Sequence, residues 1–389
     1  MNRREFLNST LATTLVGGAV VGRPAAQQTP LRQTATQPRP YPGTTREIPM
    51  HAYSRYLQWL RTPEEVASAC REISCRSLMV TVQDGASAHV QQAAVTSELP
   101  TFVNALRSEG IDVKMIRGGG QTAVDADVER LVGTMADLGI THYWLGNDSY
   151  DLSQPLMPQL DAIKRKVEGF VSLNERHGAT LVYHTRSGTR TVGAGVWDLL
   201  SVFQDFDPQR VGFHWDTGHM SLHGPMWESL IRAAGPYLSV VSWKDRTWEQ
   251  DLGRFVIEGG FYPGPEVQQE GGGGGRGGGG RGGGGAPSDP LDEVPRPLAG
   301  EHFARGMGWS SEDTPLGTGV VDFFRYGEVL GEMGFNGLMD MQAEYEGLGG
   351  AERGQTALTV PRRAVLGALK RDVLTVRAAL AQSGSGIMV

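Results

Sequence analysis

Cysteine is scarce in this chain. Cys70 and Cys75 are the only two in 389 residues, too few for a thiolate metal centre. They fall on a predicted helix and just past its end, where a disulfide would have to bend the helix terminus, so packed free thiols are expected. An excess of basic charge is also missing. The formal net charge is −7, which argues against a nucleic-acid partner, since that needs a basic surface to neutralise phosphates. The uncharged stretch from Leu7 to Gly22 is too short, and too diluted by Thr and Gly, for a stable membrane anchor. No G-x-G-x-x-G follows the first predicted strand, which removes the dinucleotide fingerprint of open doubly wound sheets.

What is present is an ordinary globular mixture, 39% hydrophobic and 20% charged, with enough apolar side chains for one large core. A mildly acidic protein of this kind can bind neutral ligands such as sugars without electrostatic cost. The N-terminus carries Arg3-Arg4-Glu5-Phe6-Leu7, then the uncharged stretch, then Arg23 and the small pair Ala25-Ala26. That order resembles a twin-arginine export signal over residues 1–26, and it predicts delivery of a folded protein to the periplasm. Residues 27–45, rich in Gln, Thr and Pro, read as a flexible spacer.

From residue 46 to 389, short β-branched runs alternate with amphipathic helical stretches. Strands are expected at Glu47–His51, Ser77–Val82, Ile111–Ile116, Thr141–Leu145, Thr180–Tyr183, Val211–Trp215, Leu238–Trp243 and Gly337–Met341, each followed by a helix. The first helix, from Pro63, is announced by Thr62 as its N-cap. Parallel strands joined by right-handed helical crossovers are the consequence. Eight such units close most naturally into a single (β/α)8 barrel, the α/β fold expected here. One connection breaks the rhythm. Between the seventh strand and the seventh helix lie more than seventy residues, with 259–312 read as an inserted loop. Within it, residues 271–285 comprise thirteen glycines and two arginines, a composition that predicts disorder.

Barrel chemistry sits where strands end, and ionisable side chains cluster at those positions. The rim candidates are His51, then Asn147, then His184 with Arg186, then Asp216 with His219, then Lys244 with Trp248, and last Glu344 with Glu346. Burying so many polar groups without a task would be costly.

Four segments carry a resemblance. V-G-F-H-W-D-T-G-H over Val211–His219 resembles the D-x-G-H signature of the xylose-isomerase-like barrel superfamily, which holds sugar isomerases, epimerases and endonuclease-IV-like proteins. S-W-K-D over Ser242–Asp245 resembles its seventh-strand H-x-K-D. L-G-T-G-V-V-D-F over Leu316–Phe323 is similar to its G-x-G-x-x-D-F, and G-F-N-G-L-M-D-M-Q-A-E over Gly334–Glu344 to its eighth strand ending in a glutamate. The resemblance implies a divalent cation (Mn, Mg, Zn or Co) held by Asp216, Glu344 and His184. His184, Glu344, His219 and Lys244 would be catalytic, and Arg186, His219, Trp248, His51 and Asn147 would contact a small carbohydrate. Two departures stand out: His184 replaces the family's fifth-strand glutamate, and Ser242 its seventh-strand histidine. The implied reaction is metal-assisted proton abstraction beside a sugar carbonyl, as in isomerisation or epimerisation. Elimination from a keto-sugar needs the same metal and one base, so a lyase or dehydratase is the second reading. A catalytically lapsed carbohydrate-binding barrel is the third. Nothing in the sequence specifies oligomeric state.

Overall fold

The computed structural model describes residues 45–389 apart from 86–87, 189, 251–255, 258–259 and 262–308. The expected export signal, all but the last residue of the expected spacer, and the Gly/Arg tract lie outside the described residues.

Eight parallel strands close into a barrel. They are β1 (Met50–Tyr53), β2 (Ser77–Thr81), β3 (Asp112–Arg117), β4 (His142–Trp144), β5 (Thr180–His184), β6 (Val211–Asp216), β7 (Leu238–Trp243) and β8 (Leu338–Met341). β8 pairs with β1 through Met339–Met50 and Asp340–His51, which completes the ring. The helices are α1 (Pro63–Glu72), α2 (Val95–Ser108), α3 (Ala126–Asp137), α4 (Leu156–His177), α5 (Trp197–Phe203), α6 (Trp227–Ala234), α7 (Phe323–Glu332) and α8 (Arg362–Gln382). The strands are rich in Val, Leu, Ile and Met because both faces are covered, the outer by helices and the inner by the barrel's own side chains. β2, β5 and β6 are buried at every residue.

Local chemistry sets the element ends. Thr62 and Glu65 form a reciprocal capping box, with Pro63 at the first helical position, a combination that satisfies orphan amide donors and fixes where α1 begins. α4 stops where Gly178 turns left-handed at φ 66°, a conformation that costs glycine little. Cys70 and Cys75 are free and buried, as the sequence indicates. Burial pushes both thiols up, Cys75 to about 12, so neither is a ready nucleophile.

Two features depart from the sequence reading. The expected strand Glu47–His51 divides: Arg46–Glu47 pairs in parallel with Ile387–Met388 outside the barrel, and β1 starts only at Met50. The segment after β7 does not simply leave as a loop. Asp245–Gln250 runs antiparallel to Trp309–Thr314, a two-stranded ribbon, so the return strand begins inside the stretch read as an inserted loop. Trp309–Thr314 carries no run of alternating apolar residues, which is why period-two patterning does not reveal it.

Candidate active site

Asp216 ends β6 and lies in register with Ser242 on β7, which in turn is in register with Asp340 on β8. His184 ends β5 in register with His214. Four adjacent strands, β5 to β8, therefore deliver polar groups into one region, ionisable ones from β5, β6 and β8.

Asp216 uses its two oxygens differently. Oδ1 accepts the amide of His219 at 2.8 Å, capping the short turn Thr217–Met220. Oδ2 lies 3.4 Å from His184 Nε2. Neither that oxygen nor either ring nitrogen of His184 has a well-aligned hydrogen-bond partner, although all are buried. Buried polar atoms left in this state call for an explanation, of which a catalytic role is one. His184 stacks on Trp144, with ring centroids 4.6 Å apart and planes 22° from parallel. Asn147 Nδ2 donates to the His184 carbonyl at 2.6 Å, so the amide positions the histidine backbone. Burial pushes Asp216 up to about 6, partly opposed by Lys244 and the His219 amide. Burial also holds His184 well below the usual histidine range, reinforced by His214, Arg186 and Lys244. The pair therefore consists of a neutral imidazole and a carboxylate that titrates close to neutrality.

Lys244 follows β7 with its side chain 1% exposed. Its Nζ donates to Glu344 Oε2 and lies 3.3 Å from Asp313 Oδ2 on the ribbon. Thr217 Oγ1 holds the lysine backbone from both sides, accepting from Lys244 N and donating to Lys244 O. The stem passes directly over Gly218, where a β-carbon would meet Lys244 Cγ at 2.7 Å. The glycine of the D-x-G-H segment is thus required by the lysine one strand away. Burial opposes ionisation of Glu344, but Lys244, Arg55 and Arg186 hold its carboxyl down at about 2. Glu346 is exposed to solvent, away from this cluster.

A second network runs through the barrel interior. Asp340, fully buried, accepts from His214 Nε2 at 2.6 Å, Ser242 Oγ at 3.0 Å and Gln342 Nε2 at 2.7 Å. Tyr56 OH donates to Gln342 Oε1 at 2.9 Å. His214 also meets the His184 ring edge-on at 4.5 Å, so the network braces the histidine from below. Sequence reading missed Asp340, although one aspartate inside an apolar strand is itself a signal that a buried charge must be paired. It missed Asp313 as well, which lies just past the 259–312 insertion, where no strand was expected.

The other sequence candidates scatter. His219, buried, shares a 2.9 Å hydrogen bond with Ser187 Oγ and has its ring centroid 6.0 Å from that of His184. Arg186 is half-buried and adds positive charge beside His184 and Glu344. Trp248 Nε1 donates to Ser221 Oγ at 3.1 Å, tying the ribbon to the turn after β6. His51 is buried with Nδ1 donating to Met339 O at 2.8 Å and pairs with Ser77, the opening residue of β2. That register places it below the rim rather than on it.

Of the three residues expected to hold a cation, two lie together in the structure and the third is engaged elsewhere. His184 and Asp216 come together, but Glu344 is satisfied by the Lys244 ammonium. Ser242 and Gln342, the nearby polar groups on β7 and beyond β8, are committed to Asp340. Among the described residues no three His, Cys, Asp or Glu side chains are grouped to hold a metal ion. A third anionic donor already neutralised by a buried cation fits a divalent ion poorly, since the two positive charges would repel at close range.

A closed eight-stranded α/β barrel with its polar groups gathered at the strand ends has the architecture of barrel enzymes. The model of the xylose isomerase-like TIM barrel family matches residues 119–360, and the chain belongs to that family. Among solved structures it is similar to D-psicose 3-epimerase from Clostridium cellulolyticum H10 in complex with D-tagatose, with a TM-score of 0.51 and 13% identity over 85% of this chain and 99% of that one. It is also similar to L-ribulose 3-epimerase, with a TM-score of 0.50 and 12% identity over 86% and 95% of the two chains. At these identities the likeness is one of fold. No curated protein matches the sequence.

Proposed function

We propose that the protein is a sugar isomerase or epimerase that removes a proton from the carbon beside the carbonyl of a small carbohydrate. The observation that carries this reading is the His184–Asp216 pair, buried and without other partners at Asp216 Oδ2 and the imidazole nitrogens. Asp216, or His184 relayed through it, takes the proton. The electrons move onto the carbonyl oxygen, and an enediolate results. Lys244 and Arg186 place positive charge where that oxyanion develops, in a site of low polarity where such charge acts strongly. Trp144, stacked on His184, holds the imidazole plane in place. The proton then returns either to the neighbouring carbon, which is isomerisation, or to the same carbon from the other side, which is epimerisation. The solved epimerases of similar fold support a carbohydrate substrate.

A second reading rests on one observation. Glu344 is held by Lys244 and Arg55, so the described site has one free acid–base group rather than two facing each other. One base suffices for isomerisation and also for loss of a leaving group one carbon further on, the keto-sugar lyase reaction. Incubating a panel of ketoses and keto-glycosides in deuterated water distinguishes the outcomes. Deuterium at the carbon beside the carbonyl, with an isomeric sugar as product, is expected. An unsaturated product favours elimination. Binding of the sugars without any exchange defeats both, and leaves a carbohydrate-binding barrel.

A further inference from the structure

We infer that the Lys244 ammonium stands where a divalent cation would otherwise sit, and that this barrel binds its substrate oxyanion with a built-in lysine instead of a metal ion. The inference rests on the reaction proposed above for the role of the oxyanion, but its structural part is independent of it. Lys244 is almost completely enclosed and sits against two carboxylates from different elements, Glu344 beyond β8 and Asp313 on the ribbon. Arg246 adds a second cation, its Nε 2.5 Å from Asp313 Oδ1. The anions at the rim are therefore already compensated. A divalent ion bonded to a Glu344 oxygen at roughly 2.0–2.6 Å would have to share that carboxylate with the ammonium.

The lysine is also built in rather than incidental. Its backbone is pinned twice by Thr217, its stem needs the bare surface of Gly218, and its head is fixed by the two carboxylates. Holding a buried cation in place with paired anions is costly to undo, because removing it leaves uncompensated negative charge. That cost predicts the behaviour of a variant without the lysine. Lys244→Met should leave Glu344, Asp313 and the His184–Asp216 pair as a pocket of ligand-type side chains without the ammonium, its negative charge only partly offset by Arg55 and Arg246.

The test is calorimetric titration of MnCl2, and separately MgCl2, into chelator-treated protein, with metal content read by elemental analysis. Wild-type protein should bind no stoichiometric ion. Lys244→Met should bind one Mn equivalent at least about a hundredfold more tightly than wild type, and adding Glu344→Gln should abolish the gain. A tightly bound ion in wild type, lost in Glu344→Gln, would overturn the inference. So would a folded Lys244→Met that gains no affinity, since the lysine would then not be what keeps the ion out. If Lys244→Met fails to fold, the wild-type titration decides alone. Isotope exchange without a bound ion upholds both inference and function, and exchange that requires a bound ion upholds the function while sinking the inference. Absence of both ion and exchange leaves the lysine assignment standing and removes the reaction.

Discussion

Asp216 has a raised affinity for its proton, and this gives a signed prediction. Its usual value of 3.8 rises to about 6 through burial. The folded protein therefore binds this proton more tightly than the unfolded chain does. The resulting stability is complete below about 3.8 and is lost as pH rises through about 6, so above that the buried carboxylate is a liability. The shift corresponds to on the order of 3 kcal/mol. Asp216→Asn keeps the cap on the His219 amide and removes the charge. The variant is expected to melt a few degrees higher than wild type at pH 8, by calorimetry, and no higher at pH 4. Its turnover should vanish, and wild-type kcat/KM should climb as pH rises through about 6. A destabilised Asp216→Asn at pH 8 contradicts this account. Asp216 and His219 were legible in the sequence because D-T-G-H closes an apolar strand. Asp340 stands out as a lone aspartate between two methionines, but its partners were not legible, and only the structure shows His214, Ser242 and Gln342 converging on it.

The ribbon after β7 is the element that sequence patterning described least well, yet it reaches the site through Asp313. It is moored by Asp245, whose carboxylate accepts the amides of Arg246, Gly317, Gly319 and Val321 at 2.8–3.0 Å. Gly319 must be glycine there, since a β-carbon would meet the Arg246 carbonyl oxygen at 2.3 Å. The K-D and G-T-G segments, separated by some seventy residues in sequence, are thus the two halves of one clasp. Neither half shows in the sequence what it grips. Asp245→Ala strips the acceptor from four amides and is expected to cost about 3–5 kcal/mol, read as a lowered denaturant midpoint. Turnover should fall with it, because Asp313 loses its fixed approach to Lys244. Unchanged stability in that variant would mean the clasp closes without Asp245. The barrel strands other than β1, by contrast, were readable to within about a residue at each end, since burial on both faces forces continuous apolar runs.

At the scale of the molecule, two expectations concern segments known only from sequence. Removing residues 271–285 should leave the melting temperature within a few degrees, because loop closure depends weakly on length; a large drop would show that the tract packs. We propose export by the twin-arginine route, on the Arg3-Arg4 pair. Replacing both with lysine should retain the protein in the cytoplasm, scored by fractionation, and normal delivery of the double variant refutes it.

The small strand pair outside the barrel has a different consequence. Arg46–Glu47 lies beside Ile387–Met388, with Arg46 N donating to Gly386 O and Ile48 N to Met388 O, both at 2.8 Å. The folded segment is therefore topologically almost a ring, whose start and finish touch. A ring can be opened anywhere that nothing depends on continuity. A circular permutant that joins residue 389 to residue 45 through a short glycine linker, with new ends in the 271–285 tract, should assemble the same barrel, with the far-ultraviolet circular dichroism of the parent. A permutant that stays unfolded would show that the order in which the strands are made, and not only their final neighbours, guides the closure.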